Sequence, residues 1–300
     1  RLLREPLGFN GLVVTDATTM TGFMQTMARR DALPLAVAAG CDMILFTLDL
    51  KEDYQYVLDA AADGTISRER LDEAVARILA LKAHLKLHKK MEEGTLFPGD
   101  EALKVFERED NRNLARECAD RSVTLVKDTQ NLLPISPKTQ RRILLHVLGD
   151  KGGYHDPICN QAEYLAGLLE REGFEVTVYD ASRKDLLPIG NSIESMTKRF
   201  DLILYYCSVK TSGSDNVSRI SWTAPGGCNT PRYIYEIPTL FISMDNPYML
   251  LDVPKVRTYI NGYTPSRYVI DAIVEKIMGR SRFTGKNPVD PFCGLFHTRL

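Results

Sequence analysis

The sequence predicts an α/β protein built from two regions, and three observations carry that prediction. Short runs rich in Val, Ile and Leu alternate with longer segments of three-four apolar spacing, the pattern of parallel strands joined by helices. A charged stretch carrying Gly94, Pro98 and Gly99 interrupts this alternation and suits a surface connection better than a core element. The 300 residues, 44% hydrophobic and 26% charged, suffice for two ordinary domains and are too apolar for a disordered chain.

Taken in order, Leu12 to Thr15 reads as the first strand, apolar and β-branched as in a sheet covered on both faces, and Asp16 stands where it ends. A helix is predicted over roughly Asp31 to Ala39, closed by Gly40, which tolerates a left-handed C-cap. Met43 to Thr47 is the second strand, Asp53 to Ala62 the second helix, and Gly64 turns the chain. Ser67 is placed to cap a third helix, in which Leu71, Val75, Ile78, Leu79, Lys82 and Leu85 define one packing face. Two β-α units cannot cover the faces and edges of a parallel sheet, so residues 1–88 read as the tail of a larger domain. Residues 89–110 are the expected linker.

Beyond it, a helix over Asn111 to Ser122 and a short strand over Val123 to Val126 lead into a longer alternation. Strands are predicted at Ile143 to Leu148, Val176 to Tyr179, Leu202 to Cys207, Thr239 to Ser243 and Val256 to Ile260. Helices are predicted near Ala162 to Glu172 and Ser266 to Met278. Residues 111–300 should therefore form an open, mostly parallel, doubly wound sheet with helices on both faces.

Charge narrows the function. With 38 basic and 39 acidic residues the net charge is −1, which offers no strong field to nucleic acid or an anionic membrane, and no run of about 18 apolar residues predicts a span. The six cysteines, Cys41, Cys118, Cys159, Cys207, Cys228 and Cys293, lack C-x-x-C pairing and read as scattered reduced thiols, from which a cytoplasmic location is expected. The chain opens at Arg1-Leu2-Leu3-Arg4-Glu5 with neither an initiator Met nor a signal-peptide pattern, as though begun inside a helix.

From residue chemistry alone, Asp16 is either a cap for free backbone N–H groups or a catalytic carboxylate, the latter if its strand belongs to a β/α barrel, where chemistry sits at the carboxyl ends of strands. Met20 either fills a core or lines a pocket. Trp222, in "SRISWTAPGG", either stacks on a ligand ring or packs at a domain interface. His84 and His88 have a helical spacing a metal would accept, but no third ligand is evident.

"LLREPLGFNGLVVTDATTM", "AVAAGCDMIL" and "RLDEAVARILALK", in this order and spacing, resemble the last quarter of the catalytic barrel of glycoside hydrolase family 3. The stretch from "RSVTLVKDTQNLLPI" to "GKNPVDPFCG" resembles the α/β sandwich domain that follows the barrel in many members. The resemblance implies the last two β-α units of a TIM-type (β/α)8 barrel in residues 1–88, then the linker, then a complete sandwich domain. It implies Asp16 as the nucleophile that forms a covalent glycosyl-enzyme, a carbohydrate as substrate, and no metal or organic cofactor. Ala17, Thr18, Thr19 and Met20 follow the nucleophile where the family's β-glucosidases carry Trp, so the chain looks like the β-N-acetylglucosaminidase branch, with Met20 in the sugar pocket. Asp42 and Arg77 match family positions and read as structural, hydrogen-bonding and ion-pairing groups.

One departure from the branch is plain. Its Lys-His-Phe-x-Gly-His-Gly type of loop, which supplies the acid/base, does not occur, and the five histidines sit in other contexts. In the family's β-glucosidases a glutamate of the second domain takes that role, which leaves Glu163, Glu170, Glu172, Glu175, Glu194 and Glu236 as candidates, with Lys210 to Arg219 as a loop able to approach a barrel mouth. Gly149 to Tyr154 lacks the spacing of a dinucleotide loop. The expectation is a fragment of a retaining hydrolase of terminal β-linked N-acetylglucosamine, inactive alone and prone to self-association through its unfinished barrel. The alternatives are a β-glucosidase fragment and a non-catalytic carbohydrate-binding module.

Overall fold

The computed structural model describes residues 2–149, 160–186, 191–211, 218–223 and 226–300. The chain divides into two compact units that meet in sequence between Val105 and Phe106. In the first, β1 (Val14–Ala17) and β2 (Met43–Leu45) pair in parallel, with Val14 opposite Met43 and Ala17 opposite Leu45. Between those pairs β1 carries one residue more than β2, and the Thr15 hydroxyl accepts the Leu45 N–H at 2.9 Å where a ladder bond is missing. The strand begins two residues later than the apolar run predicts, so Asp16 lies inside it rather than beyond it. Nor is it covered on both faces: Val14, Met43 and Leu45 are exposed, because a two-stranded sheet has no second layer here.

The helices of this unit are α1 (Thr21–Met24), α2 (Arg29–Ala38), α3 (Leu50–Ala62), α4 (Arg68–His84) and α5 (Leu87–Glu92). Asp49 caps α3 by accepting the Glu52 N–H at 2.9 Å, and Ser67 caps α4 through the Arg70 N–H at 3.2 Å, as its position predicts. The buried core is small: Val37, Ala60 and Ile66, with Ile44, Val57 and Leu71 against them. The α4 face differs from the predicted stripe. Val75, Leu79 and Leu85 are exposed, while Ala74 is buried beside half-buried Arg70, Leu71, Arg77 and Ile78, because the packed face must bring both arginines to Asp42. Lys86, in a left-handed conformation at φ 54°, separates α4 from α5, so His84 and His88 do not share one helical face.

The second unit contains α6 (Glu109–Ser122), β3 (Thr124–Asp128), β4 (Arg142–Leu148), α7 (Gln161–Arg171), β5 (Glu175–Val178), α8 (Ile193–Arg199), β6 (Leu202–Cys207), β7 (Thr239–Ser243), β8 (Thr258–Asn261) and α9 (Arg267–Ile277). The six strands run in the order β3-β8-β7-β6-β4-β5, and every neighbouring pair is parallel except β3 with β8. The winding therefore reverses between β4 and β6, the mark of a doubly wound sheet. Residues 89–110 hold the end of α5, a 3-10 turn over Asp100–Glu107 and the start of α6, largely exposed.

Strand alternation builds two cores. Leu202, Leu204 and Tyr206 of β6 face a layer with α7 and α9, while Ile203, Tyr205 and Cys207 face a layer with Met196, Phe200, Met249 and Leu250. A row of rings crosses the second face. His146 stacks on Tyr179 at 4.4 Å and on Tyr205 at 4.6 Å, Tyr205 lies 5.6 Å from Phe241, and Phe241 lies 5.3 Å from Tyr259. Burial pushes the His146 pKa down to about 3, so the ring is neutral in the folded protein.

Candidate functional site

Asp16 is exposed near the carboxyl end of β1, and its Oδ1 accepts the N–H of Ala17 at 2.7 Å. Among the described residues no cation pairs with it. Two residues on, Thr18 is fully buried and every polar group it has is engaged. Its N–H donates to Leu45 O at 3.2 Å and its hydroxyl donates to Phe46 O at 2.9 Å. Arg29, at the start of α2, donates to the Thr18 carbonyl at 2.8 Å and to its Oγ1 at 2.9 Å.

The same guanidinium meets Asp53 in a two-point pair, Nε to Oδ1 at 2.7 Å and Nη2 to Oδ2 at 2.5 Å, and Asp53 also accepts the Leu48 N–H at 3.1 Å. Asp53 is buried and Arg29 nearly so: 12% of the arginine side chain and 1% of the aspartate side chain reach solvent. Phe46 takes a left-handed conformation, φ 48°, just where its carbonyl is held by Thr18. The ends of both strands thus converge on one arginine. Sequence reasoning missed Arg29, Asp53 and Thr18, since partners 11 and 24 residues apart leave no local pattern.

At the opposite end of β2, Asp42 collects Arg4 at 2.7 Å, Arg77 at 3.1 Å, Arg70, and the Val13 N–H at 2.9 Å. Burial alone would raise its pKa, but the Val13 amide and the three guanidinia outweigh burial and hold the carboxyl below the usual carboxylate range. The structural reading of Asp42 and Arg77 is what the geometry shows. Met20 is half-buried and serves as the N-cap residue of α1.

The polarity of the second sheet sorts the glutamates. Glu163 and Glu194 lie in the first turns of α7 and α8, which follow the carboxyl ends of β4 and β5. Glu170 and Glu172 at the end of α7, Glu175 opening β5 and Glu236 before β7 lie at the amino edge, away from where open α/β sheets bind ligands. Glu194 pairs with Lys198 at 2.6 Å, Glu172 with Arg280 at 2.8 Å and Glu175 with Arg141 at 2.7 Å. Trp222 is half-buried against the second core and borders a hollow of about 190 Å³ with Pro231, Asp252 and Lys255.

Most of the Gly149–Tyr154 and Lys210–Arg219 loops lies outside the described residues, as do His155 and Cys159. Among the described residues, no group of three or more His, Cys, Asp or Glu side chains is arranged to hold a metal ion, and no helix is long and apolar enough to cross a membrane.

Residues 1–81 match the family model of the glycosyl hydrolase family 3 N terminal domain. A beta-N-acetylglucosaminidase/beta-glucosidase from Cellulomonas fimi is 42% identical over 311 aligned positions, covering 100% of this chain and 52% of the relative. The chain thus spans about half the length of that protein. Among solved structures, a beta-glucoside phosphorylase, BglX, superposes with a TM-score of 0.84 at 40% identity, over 99% of this chain and 52% of the other. A family 3 beta-N-acetylglucosaminidase from Paenibacillus sp. shares the fold, with a TM-score of 0.63 at 19% identity over 95% of this chain and 52% of its own.

Proposed function

Because this chain belongs to glycoside hydrolase family 3, we propose that it supplies Asp16 as the nucleophile of a retaining enzyme acting on terminal β-linked N-acetylglucosamine or glucose. In this reading residues 1–88 are the last two β-α units of a (β/α)8 barrel, and Met20 lines the sugar pocket. The observation that carries it is the exposed carboxylate of Asp16 near the carboxyl end of β1, with no cation paired to it among the described residues, inside the segment the family model matches. The ionised carboxylate attacks the anomeric carbon while a general acid protonates the departing oxygen. The resulting glycosyl ester is then opened by water from the opposite face, so the sugar keeps its β configuration. The sugar is left at two members because the Cellulomonas relative carries both activities in its name.

The likeness to a beta-glucoside phosphorylase favours a second reading of the same chemistry. Inorganic phosphate then replaces water in the second displacement, and the product is a sugar 1-phosphate. Both readings use Asp16. The test is turnover of aryl N-acetyl-β-glucosaminide and aryl β-glucoside, with and without phosphate, by the chain extended with the remainder of the barrel. Asp16→Asn should lower turnover by at least about three orders of magnitude. Product analysis decides between free sugar and sugar phosphate, and undiminished turnover in the Asp16 variant would remove the carboxylate from the mechanism. The 300-residue chain alone should turn over neither substrate.

A further inference from the structure

We propose that Arg29 and Thr18 are positioning residues for Asp16, acting as a buried brace behind the carboxylate; the inference rests on the reading of Asp16 as nucleophile. A nucleophilic carboxylate on an exposed strand needs a fixed backbone, since attack on the anomeric carbon demands near-contact geometry. Pairing with β2 cannot supply this alone. The two-stranded ladder is irregular at this point, with Thr15 Oγ1 standing in for a backbone partner. The brace supplies the rest.

Arg29 grips the Thr18 carbonyl and hydroxyl, the hydroxyl grips Phe46 O, and Asp53 neutralises the guanidinium while holding the Leu48 amide. Residues 16–18 are thereby tied to the exit of β2 and to the first turns of α2 and α3. Arginine suits this task because its planar fork meets a carboxylate at two points and still has donors for a carbonyl and a hydroxyl, whereas lysine has a single nitrogen. On the far side, Phe46 takes the left-handed region, uncommon for a bulky residue, at the position whose carbonyl accepts the Thr18 hydroxyl. None of these groups touches substrate in the proposed mechanism; they act through the backbone on either side of Asp16.

The test uses the chain extended with the remainder of the barrel and the aryl glycoside it turns over, with kcat and KM measured separately. Thr18→Val keeps the shape and removes the hydroxyl, Thr18→Ser keeps the hydroxyl, and Arg29→Lys keeps the charge and removes the fork. Thr18→Val and Arg29→Lys should each lower kcat about tenfold to a hundredfold with KM little changed, and Thr18→Ser should recover most of the loss. Should Arg29→Lys fail to fold, the Val and Ser pair still gives the answer. Variants that keep parental kcat while Asp16→Asn is inactive would overturn the brace and leave the nucleophile standing. So would a loss in Thr18→Val that Thr18→Ser does not restore, because that loss would follow packing rather than the hydroxyl. Full turnover by Asp16→Asn would overturn both.

Discussion

Asp42 shows what a single side chain can hold together. Its carboxylate is out of contact with solvent and receives three guanidinia and a backbone amide, joining the N-terminal segment, the start of β2 and α4. Replacing it with Asn removes the charge and leaves half-buried arginines facing a neutral amide, so Asp42→Asn should destabilise the first unit by about 3–5 kcal/mol, measured by urea denaturation at neutral pH. The pH dependence has a definite sign. The folded carboxyl titrates below the unfolded one, so its stabilisation is complete above the ordinary carboxylate pKa of about 4 and is lost as pH falls through the lower folded value. Family resemblance made Asp42 and Arg77 legible, but Arg70, which approaches the same oxygen, was hidden among the charges of an exposed-looking helix. The Arg29–Asp53 pair was less legible still. A buried ion pair is a property of the folded surface, and the sequence around Arg29 reads as an ordinary helix start.

Elements were more readable than residues. Every strand of the second sheet falls within a few residues of its predicted run, most closely β6 and β7, which are buried along their whole length and therefore read as continuous apolar segments. The short helix Ile193–Arg199 had no such signature, since seven residues give fewer than two turns of periodicity. The row of rings beginning at His146 carries a prediction at this scale. The histidine titrates near 3 in the fold against about 6.5 unfolded, so the unfolded state binds the extra proton between these values. Stability should therefore fall on acidification below about pH 6.5, by up to about 1.4 kcal/mol per pH unit from this group alone. His146→Phe keeps an aromatic ring in the stack and should flatten that part of the curve, as read by chemical denaturation across the range. The glutamates give a second prediction. In the chain extended with the remainder of the barrel, Gln in place of Glu170, Glu172, Glu175 or Glu236, all at the amino edge of the second sheet, should leave the proposed glycoside turnover within about twofold, because open α/β sheets bind ligands outside the carboxyl ends of their strands.

Across the whole chain the two units are unequally built. The second has a six-stranded sheet between two extensive cores, whereas the first rests on Val37, Ala60, Ile66 and their neighbours. Amides of the first unit should exchange with solvent earlier than those of the central strands β4, β6 and β7, as hydrogen exchange with mass spectrometry would show. Phe46, Leu48, Leu50, Tyr54, Val75 and Leu79 are all exposed on the first unit. We expect the 300-residue chain alone to self-associate in a concentration-dependent way through these side chains, and strictly monomeric sedimentation would contradict this. Sequence reasoning anticipated the surplus because two β-α units cannot close a sheet. What it could not locate was the face of α4 that stays outside, which is decided by where two arginines have to go.

The lone tryptophan gives this inequality an optical consequence. Trp222 sits half-buried against the second core, and the first unit has no indole at all. Light absorbed selectively by indole therefore illuminates one half of the chain. Emission would register the melting of the doubly wound sheet and stay silent while the half carrying Asp16 loosened. A fluorescence trace would look like a single clean transition even where circular dichroism, which counts helices in both halves, recorded two.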